Sequence, residues 1–471
     1  MLSQVDISPV GPARFRDVLS AETLEAFEAG VRESRELLGG REVWNVNSTA
    51  RGGGVAELLR PLVAYARGVG VDAHWAVIQG DPPFFEVTKR LHNRLHGSAG
   101  DGGPLDDGAR RAYEGPLERS AADLAARLQP GDVVILHDPQ TAGMTRAVRE
   151  TGASVVWRCH IGLDVPNEHA REGWEFLRPY VVDADAYVFS RRAFVWEGLD
   201  EDRIHVIAPS IDAFAPKNQE LDDGTVAAVL RAAAIVPDRA DPRAATYYHQ
   251  DGTPGRVNRR ADMIEDGPLR PDDPVVLQVS RWDSLKDPLG VIEGFGAHVP
   301  DAHFVYAGPA VEAVSDDPEG ERVLSDAIAA RERLPGDARR RVHLAALPMD
   351  DAEENAIIVN ALQRHARVVV QKSLAEGFGL TVAEAMWKGR PVVASRIGGI
   401  QDQIVDGESG VLLDDPRDLS EFGAAVRGLL EDEAAAERMG ERGRERVRDE
   451  FLSARSLLQY LELIRSMSPR A

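Results

Sequence analysis

The chain has 471 residues, 43% of them hydrophobic and 28% charged, enough material for two or three globular domains with buried cores. A formal net charge of -22 without a dense Lys/Arg run excludes duplex nucleic acid as a partner, so an anionic ligand has to be held by a few well-placed cations. The single cysteine, Cys159, excludes an intrachain disulfide and a Cys-rich metal site.

Residues 1–15 lack a basic cluster followed by an apolar run. No stretch reaches the ~18 apolar residues of a membrane span, so the expectation is a cytoplasmic protein with no membrane partner. In chain order, Glu42 to Asn47 reads as a strand, followed by Gly52-Gly53-Gly54 and a helix with Val55, Leu58, Leu59, Leu62, Val63 and Ala66 on one face. Gly68 and Gly70 close that helix. Further strands are expected at His74 to Ile78, Val133 to Leu136, Ser154 to Arg158, Ala186 to Phe189 and His205 to Ile207. A second series runs through Val275 to Val279, His303 to Ala307, Val342 to Leu344, Val368 to Val370 and Pro391 to Ala394.

Two such series predict an α/β protein of two doubly wound domains with a ligand cleft between them. The expected division is 1–210, 211–448 and a C-terminal helix over 449–471 that returns to the first domain. Thr246 to Asp273, rich in Gly, Pro, Asp and Arg, reads as an inserted, mobile loop. Glu431 to Met467 reads as helical, with Leu457, Leu458, Leu461 and Ile464 as its apolar stripe.

Three segments carry chemistry. Glu376-Gly377-Phe378-Gly379-Leu380, followed by Glu384, puts glycines ahead of a helix N-terminus, which suits phosphate or sugar hydroxyls. The plainer alternative is a glycine-rich turn before a solvated helix. Arg281 and Lys286 follow the strand Val275 to Val279 and offer two cations to a diphosphate; the alternative is surface charge. Asn45 to Gly54 places a triple glycine between a strand and a helix, with neither a dinucleotide fingerprint nor a Walker loop.

Other features have plainer readings. Cys159 reads as a small buried hydrophobe, Asp183-Ala184-Asp185 as a solvated turn, and Trp174 and Phe176 as core. His92 and His96 stand at i,i+4 spacing without the glutamate of a zincin and read as surface or pocket histidines.

Together the glycine-rich first loop, Arg281 with Lys286, and Glu376 to Glu384 resemble the retaining glycosyltransferases of the GT-B fold, with two Rossmann-like domains facing a central cleft. The closer resemblance is to the trehalose-forming glycosyltransferring synthases. It is carried by Asn45 to Thr49 with Gly52 to Gly54, Phe84 to Lys89 with His92-Asn93, and His137-Asp138-Pro139-Gln140. Trp157-Arg158-Cys159-His160 and Asn360 to Lys372 extend it. Thr246 to Asp273 and Gly162 depart from the family pattern.

The resemblance implies that Arg281 and Lys286 bind the donor diphosphate and stabilise the leaving group. It gives Glu384 the ribose, Glu376 with Gly377, Phe378, Gly379 and Leu380 the transferred glucose, and Gly53 and Gly54 a place against the phosphates. His160 would contact the glucose near the reacting carbon, while Lys89, Asn93, Asp138 and Gln140 would shape the acceptor pocket. The implied reaction forms trehalose reversibly from a nucleoside diphosphate glucose, such as ADP-glucose or UDP-glucose, and free glucose. No tightly bound cofactor is implied and no metal ligand is assigned; magnesium is possible but not indicated, and a homodimer is compatible with the sequence. The competing readings are a trehalose phosphorylase, with phosphate as acceptor, and a non-catalytic sugar-nucleotide sensor.

Overall fold

Apolar runs that alternate with amphipathic segments build two seven-stranded sheets, each parallel except at one edge. The computed structural model describes residues 2–50, 54–237, 241–311 and 318–467. It divides the chain into Met1–Ser210 with Phe451–Ala471, and Ile211–Glu450.

The first unit contains β1 (Ser3–Gln4), β2 (Glu42–Asn47), β3 (Asp72–Val77), β4 (Val133–His137), β5 (Ser154–Cys159), β6 (Ala186–Phe189) and β7 (Ile204–Val206), in the order β1-β3-β2-β4-β5-β6-β7. β1 is antiparallel to β3 and the rest are parallel. All five residues of β4 are buried, as expected for a parallel strand covered on both faces. One face carries Val43, Ile135, Val156 and Val188 under α1 (Ala21–Leu37) and α2 (Gly54–Gly68). The other carries Trp44, Val134, Leu136 and Trp157 under α3 (Pro82–Leu95), α4 (Asp107–Ala125), α5 (Thr145–Arg149) and α6 (Glu168–Val181). Each fully buried large side chain contributes about 1.5–3 kcal/mol, so strict alternation along these strands fixes the register.

The second unit begins with α7 (Asp223–Ala232) and an antiparallel ribbon of β8 (Thr246–Tyr248) and β9 (Pro254–Arg256). Its sheet is formed by β10 (Asp262–Ile264), β11 (Val275–Val279), β12 (His303–Pro309), β13 (Val342–Leu347), β14 (Val368–Gln371), β15 (Val392–Ser395) and β16 (Val411–Leu413). The order is β10-β13-β12-β11-β14-β15-β16. Its helices include α8 (Pro288–His298), α9 (Pro318–Glu332), α10 (Gly336–Arg339), α11 (Ala352–His365) and α12 (Leu380–Trp387). They continue with α13 (Ile400–Gln403), α14 (Leu419–Glu431) and α15 (Glu433–Glu450). The chain returns to the first unit as α16 (Ser453–Met467), whose Leu463 and Ile464 join the core with Leu59 and Val63. Among the described residues no helix is long and apolar enough to cross a membrane.

One sequence expectation needs correction. Thr246 to Asp273 is not a structureless loop: it forms the β8–β9 ribbon and then β10, which closes the antiparallel edge of the second sheet on β13. His249 and Arg259 fasten the segment to Glu353 and Glu354 of α11, so side-chain anchoring replaces apolar periodicity. Glu431 to Met467 is helical, as its pattern predicts, in two helices that break at the buried Phe451 and Leu452. Asp449 and Glu450 precede the break and put negative charge at a carbonyl end, where the helix dipole disfavours it.

Among the parallel strands of each sheet the order reverses once. The first chain path goes from β2 out to β3 and back to β4; the second goes from β11 through β12 and β13 and back to β14. Such reversals leave a crevice at the carboxyl ends of the central strands.

Candidate functional site

The second unit's crevice holds the loops after β11 and β14, and hydrogen bonds join them. Leu374 N donates to Leu285 O at 2.7 Å, and Gln278 Nε2 to Lys286 O at 2.8 Å. The fully buried Lys372 pairs with Asp287, which takes a left-handed φ of 50° and caps α8 through Gly290 N. This framework sets Lys286, at the end of a 3-10 turn over Ser284–Lys286, with its Nζ 2.6 Å from Glu376 Oε2. Arg281 lies in the same loop with an exposed side chain turned onto Asp283, Nη2 to Oδ2 3.0 Å. The structure therefore brings Lys286 and Glu376 together and leaves Arg281 at the rim.

Gly377, Phe378, Gly379 and Leu380 lead into α12. Gly379 has φ 81°, which an L side chain adopts only with strain, so the tight entry needs glycine. The segment is braced by residues that sequence reading missed. Gly399 N donates to Gly377 O at 2.8 Å, and Gln403 Nε2 reaches Phe378 O at 2.5 Å. A Cβ at Gly398 would stand 1.8 Å from Glu376 O. Glu384, on α12, is 3% exposed, with Lys217 Nζ 3.6 Å from its Oε1. Lys388, one turn on, donates to Glu384 O and Asn218 Oδ1, each at 3.0 Å, and burial pulls its ammonium pKa down.

The first unit's crevice holds Asp138 and His160. Asp138 leaves β4 with φ 62°; its Oδ1 accepts from His160 N at 2.7 Å, and its N–H donates to Arg158 O at 2.7 Å. Burial pushes the Asp138 carboxyl up to about 7 against the pull of the His160 N–H and Arg158. His137 and His160 stack at 5.3 Å and share a hydrogen bond, Nδ1 to Nε2, of 3.0 Å, and His137 Nε2 lies 3.2 Å from Asn45 Oδ1. Burial lowers His137 to about 3, and lowers His160 well below its ordinary value, so both rings are neutral at neutral pH.

The remaining acceptor candidates are less tightly placed. Lys89 is exposed and Asn93 half-buried, one turn apart on α3, and Gln140 is half-buried after β4. Gly53 lies outside the described residues, as do Arg51 and Gly52, and Gly54 is the exposed first residue of α2. Cys159 is buried, its Sγ donates to Ile161 O at 3.2 Å and burial raises its pKa, which makes it a poor nucleophile. Asp185 accepts from Val155 N at 2.8 Å ahead of β6, so this acid of the Asp-Ala-Asp motif serves the backbone at the opposite end of the strands.

This fold is that of a GT-B glycosyltransferase. Residues 353–446 match the family model for glycosyl transferases group 1, and residues 45–196 the model for the trehalose synthase N-terminal domain. A UDP-forming α,α-trehalose-phosphate synthase from Burkholderia xenovorans superposes with a TM-score of 0.65 at 16% identity, over 91% of this chain and 100% of the other. A trehalose synthase of Rubrobacter xylanophilus is 35% identical over 98% of both chains. A trehalose phosphorylase of Pleurotus pulmonarius is 26% identical, over 93% of this chain and 58% of its own length. The chain belongs to the trehalose synthase family.

Proposed function

We propose that this protein is a retaining glucosyltransferase that makes trehalose, reversibly, from a nucleoside diphosphate glucose and free glucose. The observation that carries the reading is the 35% identity to a trehalose synthase along 98% of both chains. Donor roles fall to the second unit: Lys286 and Arg281 on the diphosphate, Glu376 with Gly377–Leu380 on the glucose, and Glu384 on the ribose. Acceptor roles fall to Asp138, Gln140, Lys89 and Asn93 of the first unit, with His160 beside the transferred glucose and Gly53 and Gly54 towards the phosphates.

In the reaction the bond from glucose C1 to the diphosphate oxygen breaks, and its electron pair leaves with the nucleoside diphosphate. The acceptor's anomeric hydroxyl attacks from the same face and passes its proton to the departing phosphate oxygen. Fixed cations and amide groups stabilise the oxyanion as it forms, so no protein nucleophile is needed. The protein requires no tightly bound cofactor for this chemistry. Free glucose is favoured over phosphate as acceptor because Asp138, when ionised, accepts hydroxyl hydrogen bonds and repels an anion.

The test supplies trehalose with either a nucleoside diphosphate or inorganic phosphate. The expected products are a sugar nucleotide and glucose from the first mixture. Glucose 1-phosphate from the second mixture, with no sugar nucleotide from any diphosphate, replaces this reading with a trehalose phosphorylase.

A further inference from the structure

At the amino ends of β2 and β3, Glu42, Asp72 and His74 bring their side chains together. The register explains the meeting. Glu42 pairs with Asp72 and Trp44 with His74 across the parallel strands, and residues two apart on a strand share a face. His74 Nε2 stands 3.0 Å from Asp72 Oδ1 and 3.8 Å from Glu42 Oε2, and one ligand atom of each residue lies within 4.8 Å of the others. β2 runs from Glu42 to Asn47, so the crevice at its carboxyl end is about 16 Å away and the transfer reaction does not use this cluster.

A hydrogen bond does not account for the close approach. His74 Nε2 is buried and has no hydrogen-bond partner, so Asp72 Oδ1, although 3.0 Å away, lies off the direction of the ring nitrogen. Two ligands of one cation stand in this way, each aiming its lone pair at the ion and not at the other. The separations of 3.0 and 3.8 Å bracket the edge of about 3.4 Å expected for a tetrahedron with bonds of ~2.1 Å. The Asp72 side chain is 65% exposed and free to turn towards Glu42. Among the described residues no arginine or lysine forms an ion pair with either carboxylate.

The neighbours hold the ligands in place. Trp44, 3% exposed, stacks on the His74 ring with centroids 4.4 Å apart, and its Nε1 donates to Glu42 Oε2 at 2.8 Å. From β1, Gln4 Nε2 lies 3.1 Å from His74 Nδ1. With this amide turned end for end, its oxygen accepts from Nδ1–H and Nε2 is left as the ring's lone pair.

We propose that Glu42, Asp72 and His74 form a binding site for a divalent transition-metal ion of the zinc class, with water completing the coordination on the exposed side. One imidazole nitrogen and two carboxylates suit such an ion, whereas Mg²⁺ takes oxygen ligands and parts reluctantly with its water. The ion ties β2 to β3 at the end of the sheet remote from the crevice and stabilises the first unit. The site does not depend on the assignment of trehalose synthesis.

The test is calorimetric titration of tag-free, chelator-treated, full-length protein near pH 7, where an ordinary imidazole is mostly neutral, with Zn²⁺ in one arm and Mg²⁺ in the other. One saturable Zn²⁺ equivalent per chain is expected, with Mg²⁺ bound at least about 100-fold more weakly. Asp72→Asn weakens Zn²⁺ binding about tenfold or more, and His74→Gln abolishes it. Saturating Zn²⁺ raises Tm in wild type and not in His74→Gln. The exposed Asp72 position keeps the test decisive if His74→Gln fails to fold. Absence of saturable Zn²⁺ binding, a Zn²⁺ isotherm unchanged in Asp72→Asn, or Mg²⁺ bound as tightly as Zn²⁺ each overturns the proposal.

Discussion

Lys286 Nζ lies 2.6 Å from Glu376 Oε2, with the two side chains 16% and 14% exposed, so the ammonium and the carboxylate of the donor loops neutralise each other. In the proposed donor role, an incoming diphosphate would have to share that ammonium with Glu376. Glu376→Gln is therefore expected to bind a nucleoside diphosphate severalfold more tightly, roughly the value of one partly buried ion pair, while turnover falls. Calorimetry with the diphosphate and kcat with the full donor read the two effects separately. Unchanged or weaker diphosphate binding removes the competition.

Lys286→Ala is expected to lower kcat by roughly 10²–10³ with a smaller change in donor KM, because leaving-group charge grows on the way to the transition state. A steady-state comparison with wild type checks it. A kcat within twofold of wild type takes Lys286 out of the reaction.

Glu384 is expected to act on binding. Glu384→Ala raises donor KM more than it lowers kcat, since the ribose is remote from the reacting carbon. Lys217→Met, which withdraws the cation 3.6 Å from Glu384 Oε1, shifts donor KM in the same direction by a smaller factor. Donors lacking a ribose hydroxyl should lose this sensitivity; equal sensitivity with deoxyribose donors contradicts the ribose role.

Asp138 gives a pH signature with a definite sign. Its folded pKa, about 7, lies above the ordinary carboxyl value near 4, so the folded chain holds this proton more tightly than the unfolded chain does. Its contribution to stability is present at low pH and is lost as pH rises through about 7. His137, lowered to about 3, acts oppositely: its contribution is present above the ordinary imidazole value near 6.5 and lost as pH falls towards 3. The difference between Asp138→Asn and wild type isolates the carboxyl, and the variant is expected to gain on wild type between about pH 4 and 7. Urea midpoints across that range measure it, and a pH-independent difference rules it out.

Gly398→Ala is expected to damage the donor loop. At φ 46°, its Cβ would meet Glu376 O at 1.8 Å. The backbone strain and overlap together should cost roughly 2–4 kcal/mol. A lowered Tm with raised donor KM is the expected pair of results; a normal KM would show that the Glu376 loop does not depend on this contact.

The sequence made the central strands legible because strands buried on both faces read as unbroken apolar runs, as in Val133 to His137 and Val368 to Gln371. β8, β9 and β10 were hidden because they are short and polar and lie in a two-stranded ribbon or at a sheet edge. Glu376 to Glu384 and Lys286 stood out through glycines and charge placed beside strand ends. The props behind them did not. Gln403 reaches Phe378 O across 25 residues, and Gly398 is required by a carbonyl that belongs to Glu376. Such constraints come from tertiary neighbours and leave no local period to read.

The second unit is an uninterrupted stretch, Ile211–Glu450, set within the two pieces of the first. During synthesis, where domains fold as units, this inverts the usual order. The second unit has all its residues before α16 is made, whereas the first waits for α16 to supply Leu463 and Ile464. A ribosome stalled or a chain cut just short of Phe451 leaves a complete second sheet attached to an open first one, with the apolar bed of α16 exposed. Removal of α16 is thus expected to spare the second unit and to turn the apolar bed on the first into a surface prone to self-association.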